Sequence, residues 1–415
     1  MNSVEQCNFI RDYAILKLNI KRVDHMRQKN KKKKIQWQQY IGIVMFMLIG
    51  AVCGYLMVMY VDTNYASGQS FPQYLLSIIG LFIFMYAGIF IQIIIHEGGH
   101  LFFGRLSGYK FSSFRIGSFM WIKENDNIRF RRFSIAGTGG QCLMEPPELK
   151  DGEIPVVLYN LGGSLMNAAA SVVFLILHFV LSDMAYVSVM FLIIAIIGFG
   201  IALMNGIPMR MGTVDNDGYN AWALTRNKDA LRAFWIQMKA NEQISKGVRL
   251  KDMPEEWFEL PDDEAMKNSM TATIGVFACN RLMDEHRFEE ADQHIKRLIL
   301  MDSGIVGVHR DLLVCDQIYC ELIGRNRQNR IHAKLTKNQK KFMKAMKNFP
   351  SVIRTEYAYA LLGENNLQKA EKIKIQFEKC AETYPYPSDI QSERELMEIA
   401  EEIGKERMEM LDSKE

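Results

Sequence analysis

The chain has 415 residues, enough for two or three domains, and a formal net charge of only +3. A balance that small provides no chain-wide positive field, and no nucleic-acid partner is expected. The seven cysteines are odd in number and form no C-x-x-C pair. That excludes a disulfide framework or a zinc ribbon and reads as reduced thiols. A mean hydropathy near zero averages two unlike halves. Between Ile41 and Phe103 the only charged residues are Asp62 and Glu97, and between Val156 and Gly206 the only one is Asp183. After Arg226 the chain turns charged and polar.

Lys21 to Lys34 carries eight basic residues and one acid directly before the first apolar run. The positive-inside rule places such a cluster in the cytoplasm. Four transmembrane helices are predicted, at about residues 41–60, 74–103, 157–181 and 184–204, since about 20 apolar residues cross a bilayer core. The first reads as a retained anchor, being too long for a signal-peptide core. With both termini cytoplasmic, the second and fourth helices end on the inner side. The expected location is a multi-pass protein of the bacterial cytoplasmic membrane.

The second run contains His96-Glu97-Gly98-Gly99-His100, an H-E-x-x-H motif. On a helix the two imidazoles are four residues apart and share a face, so they can grip one metal ion, with Glu97 placed to take a proton from water. Ionisable groups are costly at membrane depth and are usually functional there. A rise of about 1.5 Å per residue puts His96 about 30 Å from the outer end, near the inner face.

Strand-like segments follow at Phe111 to Ile116, Phe119 to Ile122 and Ile128 to Ile135, around the turn signal Glu124-Asn125-Asp126-Asn127. They predict a β-hairpin insertion over residues 109–136, followed by a flexible Gly137 to Gly140 stretch. A helical pattern over Asp229 to Lys246 sets Leu231, Phe234, Trp235, Met238 and Ile244 on one face. From about Asp262 to Met410 only helices are predicted. Cys279 to Ala291 and Ala358 to Ala370 each read as helix, polar turn and second helix, which resembles tetratricopeptide hairpins, although the 79-residue offset makes any array irregular.

A catalytic metal site needs a third ligand. The other histidines show no paired spacing, and His178 reads as an interfacial residue of the third helix. A carboxylate is therefore expected, and Asp215-Asn216-Asp217-Gly218 offers two, downstream of Asn205-Gly206-Ile207-Pro208. The order H-E-x-x-H helix, hairpin, helix with Gly162-Gly163-Ser164-x-x-Asn167, then N-x-x-P and D-G resembles the site-2 protease family of intramembrane zinc peptidases. The resemblance covers about residues 74–220. It implies one zinc per chain held by His96, His100 and Asp217, with Glu97 as general base for zinc-activated water. Asp215 is the competing ligand, because the family's usual spacing from the proline falls on Thr213 and Asp217 lies further on. Asn167 and Asn205 match positions that bind substrate. The hairpin and the Gly137 to Gly140 stretch are expected to pair with an unwound substrate.

The expected fold is thus mostly α, a polytopic membrane bundle with a small β insertion, followed by a soluble all-α, tetratricopeptide-like domain. The expected divisions are a basic segment at 1–37, a protease domain at 38–225, a linker with an amphipathic helix at 226–261 and a cytoplasmic helical domain at 262–415. The function implied is a metalloendopeptidase acting on membrane-anchored proteins or peptide precursors, with the lipid bilayer and a cytoplasmic partner of the helical domain as further contacts. The rival reading is a catalytically silent membrane adaptor, against which Glu97 argues, since a structural metal needs no base. Four spans without an inverted repeat argue against transport.

Overall fold

A computed structural model describes residues 37–66, 68, 70–124, 127–133, 139–210, 215–301 and 303–412. The basic Lys21 to Lys34 cluster, and with it the 1–37 segment up to residue 36, lies outside the described residues. Among the described residues four helices are long and apolar enough to cross a membrane. They are α1 (Trp37–Ala66), α2 (Phe71–Leu106), α3 (Val157–Val180) and α4 (Ala185–Gly206). Their exposed faces carry Ile83, Tyr86, Val173 and Ile176, side chains suited to lipid. Helix α2 has 36 residues and so runs about 54 Å, well beyond a hydrocarbon core of about 30 Å. Its last turns, which hold the H-E-x-x-H motif, lead directly into a β-sheet.

Small residues bring these helices together. A Cβ added at Gly99 would lie 2.3 Å from the Gly162 carbonyl oxygen, and one at Gly162 would lie 2.7 Å from that of Gly99. Helices α2 and α3 therefore cross backbone to backbone, the mode expected where lipid gives no hydrophobic drive to associate. Helix α4 folds back on α3 through a tight turn in which Met184 N–H donates to Leu181 O at 2.9 Å. His178 bridges the pair by bonding Ser188 Oγ at 2.7 Å. Helix α1 packs on α4, where Gly200 admits Ile49.

The β insertion is larger than a hairpin. Strands β1 (Lys110–Ile116), β2 (Phe119–Glu124), β3 (Asn127–Arg132) and β4 (Gly140–Glu145) form an antiparallel sheet in the order β3-β2-β1-β4. The β1–β2 turn uses Gly117 at φ +58°, where a side chain would be strained. The unexpected strand is β4, whose alternating Cys142 and Met144 point into a core with Tyr109 and Tyr159. The expected flexible stretch thus ends in ordered strand from Gly140 onward, while Gly137 and Thr138 lie outside the described residues.

Beyond the membrane helices come α5 (Asp217–Leu224), which had no sequence expectation, and α6 (Lys228–Ser245). Asn227 caps α6 by accepting from Ala230 N–H at 3.0 Å. One part of α6 (Ala230, Leu231, Phe234, Met238) packs with the sheet and α3. Another part (Ala240, Ile244) packs with Met253, Phe258 and Ala278. Residues 226–261 thus hold α6 and two 3₁₀ turns, and α6 packs against both the sheet and the helices that follow.

The remaining helices are α7 (Ser269–Asp284), α8 (Phe288–Leu300), α9 (Gly307–Ile323), α10 (Gln328–Lys334), α11 (Lys337–Ala345), α12 (Pro350–Ala358), α13 (Leu367–Ala381) and α14 (Pro387–Asp412). The two similar stretches form like hairpins. His286 (φ 60°) and Asn365 (φ 51°) take the left-handed turn position, and Ala291 and Ala370 are buried at the same place in each second helix. The short α10 and α11 lie between the two hairpins.

Candidate active site

His96 and His100 project from one face of α2 towards the start of α5. Asp217, the first residue of α5, places Oδ2 at 3.0 Å from His96 Nε2 and 3.5 Å from His100 Nε2. The two Nε2 atoms are 3.2 Å apart. Donor atoms about 2.0–2.1 Å from a tetrahedral ion are separated by about 3.3 Å. The three edges bracket that figure, and two imidazoles with a carboxylate are a donor set that zinc accepts, so the residues fit the ion.

Both rings are held by their other nitrogen. His96 Nδ1 donates to Asn167 Oδ1 at 2.7 Å, and His100 Nδ1 donates to the Tyr159 carbonyl at 2.8 Å. A carbonyl oxygen can only accept, so both protons sit on Nδ1 and both Nε2 lone pairs are free for a cation. The Asn167 amide is oriented in turn by Nδ2 donating to Gln92 O at 2.8 Å and Gln92 Oε1 at 2.7 Å. Gln92 Nε2 donates to Ile194 O at 3.1 Å, which ties α2 to α4. Asn167 and Gln92 are both wholly buried. The structure thus turns Asn167 towards a ligand ring, where a substrate contact was expected. Asn205 donates to Ile201 O at 3.1 Å within its own helix.

Asp217 is positioned by its neighbour. Asn216 caps α5 by accepting from Tyr219 N–H at 2.9 Å, accepts from Met209 N–H at 3.0 Å, and donates to Met204 O and Ile207 O at 2.7 and 2.6 Å. Gly218 is required for close packing, since a Cβ there would lie 2.2 Å from Gly206 O. Asp215 points elsewhere. It accepts from Ser269 Oγ at 2.6 Å and faces Arg210 at 3.4 Å. Burial alone would raise the pKa of Asp217, but a proton on the Nε2 of His100 or His96, in the place a cation would take, outweighs burial and holds the carboxyl below the ordinary range. It is therefore ionised, as a metal ligand must be.

Glu97 is 8% exposed and lies against the start of β4, where a Cβ at Gly140 would come within 2.6 Å of its Cγ and Oε1. Arg115 holds that corner, donating to Gly117 O at 2.7 Å and to Gly140 O at 3.4 Å, and Gly117 N–H donates to Gly139 O at 2.8 Å. Gly163 leaves room for the rings. A Cβ there would sit 2.5 Å from His96 Cε1 and 2.7 Å from His100 Nε2. Sequence reading assigned no role at the site to Gln92, Tyr159 or Asn216, and touched Arg115 and Gly140 only as parts of the hairpin and glycine stretch expected to pair with substrate. Gly163 carried a signal, as part of a small-residue face.

A His-Glu-x-x-His helix end meeting an aspartate at the foot of a four-helix apolar bundle defines a membrane metalloprotease. The family model described as Peptidase family M50 matches residues 84–370, and the chain belongs to that family, that of the site-2 proteases. No curated protein and no solved structure matches the chain.

Proposed function

We propose that the chain is a zinc endopeptidase that hydrolyses peptide bonds of membrane-anchored proteins or peptide precursors near the cytoplasmic face. The observation that carries this reading is the convergence of His96, His100 and Asp217 within 4.8 Å of one another, with Glu97 beside them near the C-terminal end of α2. Zinc bound there would polarise the scissile carbonyl and make water a stronger nucleophile. Glu97 takes the proton from the attacking water and returns it to the leaving amine. Asn167 and the Tyr159 carbonyl keep the two rings in the ligating tautomer. Strand β4, whose first residue Gly140 lies against Glu97, is the element along which an unwound substrate would lie. In this reading both termini and the helical domain lie on the cytoplasmic side, from which that domain recruits substrate or a regulator.

The test is cleavage of single-span fluorogenic substrates in detergent by wild type and Glu97→Gln, with zinc measured in both. Cleavage by wild type alone, with about one zinc per chain in each, is the expected result. Failure of both chains to hold zinc would sink the reading.

A further inference from the structure

A cavity of about 370 Å³ lies between β4 and the inner face of the helical domain. One wall is formed by Gln141 and Leu143, the β4 residues that alternate with the core-facing Cys142 and Met144. Gly140 touches Glu97, and at about 3.4 Å per residue Leu143 is only about 10 Å further along the strand. A chain leaving the site along β4 therefore runs into this cavity.

The walls are strongly polar, and some of their groups have no partner. Four carboxylates (Asp284, Asp316, Asp389, Glu393) and two guanidiniums (Arg249, Arg354) line the space. Arg249 pairs with Asp284 at 2.6 Å, and Arg354 pairs with Asp316 at 2.6 Å and Glu393 at 2.8 Å. Among the described residues Asp389 has no hydrogen bond or ion pair. Burial, with Glu393 and Asp284 close by, raises its pKa to about 7. Arg354 is 1% exposed, yet its Nη1 has no hydrogen-bond partner. The amides of Gln237, Asn241 and Asn280, on α6 and α7, also line the cavity, and no partner is seen for them among the described residues. A buried polar atom without a partner, as Arg354 Nη1 is, is costly and calls for an explanation, and the half-buried Asp389, Gln237, Asn241 and Asn280 offer their polar atoms to whatever enters the cavity.

One kind of ligand answers all of these groups. An extended peptide presents carbonyls to Arg354 Nη1 and to amide N–H groups, and N–H groups to amide oxygens. A basic side chain supplies the charge that Asp389 lacks. We infer that this cavity binds the extended segment flanking the cleaved membrane span of the substrate, with a Lys or Arg seated against Asp389. The inference rests on the protease reading above. It agrees with the excess of Lys and Arg that borders membrane spans on the cytoplasmic side.

The test uses full-length Glu97→Gln protein, which binds without cutting. Degenerate 12-residue peptide libraries, one with a fixed central Lys and one with a central Glu, are passed over the immobilised protein. The Lys library is expected to be retained at least tenfold better. Asp389→Asn should remove that preference, and Ser392→Trp, which fills the cavity, should remove retention altogether. Circular dichroism checks that both variants are folded. Equal retention of the two libraries, or retention untouched by either substitution, overturns the inference. Retention that appears only after removal of residues 1–34 would assign the cavity to this chain's own basic segment and also overturn it. Because the readout involves no hydrolysis, the two failures are distinguishable: lost selectivity here leaves the peptidase reading standing, whereas a failed peptidase assay with selectivity retained leaves a basic-peptide site and removes its assignment to a substrate.

Discussion

His96 Nδ1 donates to Asn167 Oδ1 across 2.7 Å, joining the metal-binding helix to the helix packed beside it. This contact aims one of the two imidazoles and fixes its tautomer. Asn167→Ala should therefore weaken zinc binding by about 10–100-fold, read by competition with a chelator. Asn167→Asp keeps an acceptor at the same place and should recover part of the loss. Equal zinc affinity in wild type and Asn167→Ala would remove the positioning role.

Gly163 separates the rings from the backbone of α3. Gly163→Ala places a methyl 2.5 Å from His96 Cε1 and 2.7 Å from His100 Nε2. Overpacking of this kind costs about 1–3 kcal/mol, and here the rings are what must move. The expected outcome is a folded, membrane-inserted protein that has lost both zinc and activity. Gly99→Ala strikes backbone instead and should lower thermal stability in the zinc-free protein as well.

Two nearby aspartates are predicted to behave differently. Asp217→Ala removes the carboxylate that stands 3.0 Å from His96 Nε2, and zinc should be lost on dialysis. Asp215→Ala removes the acceptor of the Ser269 hydroxyl, a contact from the segment before Asp217 to α7. It should cost about 1 kcal/mol in stability while zinc stays bound. Zinc content by mass spectrometry separates the two, and the reverse pattern would exchange their roles.

Asp389 gives a pH dependence of known sign. Its pKa rises from 3.8 to about 7 on folding. The folded state therefore holds the proton more tightly, and this contribution to stability, complete below pH 3.8, is lost as pH rises through 7. Asp389→Asn cannot ionise. It should nearly match wild type near pH 4 and be more stable at pH 8, by up to about 4 kcal/mol. Thermal unfolding at the two pH values measures this, and an equal difference at both would rule it out. A charge that destabilises the empty fold is the kind of feature that function retains.

The four apolar spans were legible from composition, because the bilayer selects length and apolarity and little else. The His96 and His100 pair was legible too, since four residues on a helix always share a face. Leu231, Phe234, Met238 and Ile244 follow the same logic in α6, where their period marks the buried side. Strand β4 escaped notice because Gln141 to Met144 is short, flanked by glycines and Pro146, and too brief to show alternation.

What the sequence by itself determined is local: which segments enter lipid, which face of α2 carries the two imidazoles, and that a carboxylate should join them. The tertiary structure decided which groups meet that face. Asp217 stands there because Asn216 ties the loop to Met204, Ile207 and Met209. Asn167 meets His96 because Gly99 and Gly162 let two backbones touch. The cavity beyond β4 exists because α6 packs against both the sheet and the helical domain. These contacts join residues far apart in the chain, and their geometry depends on close packing summed over several elements, which no local period records.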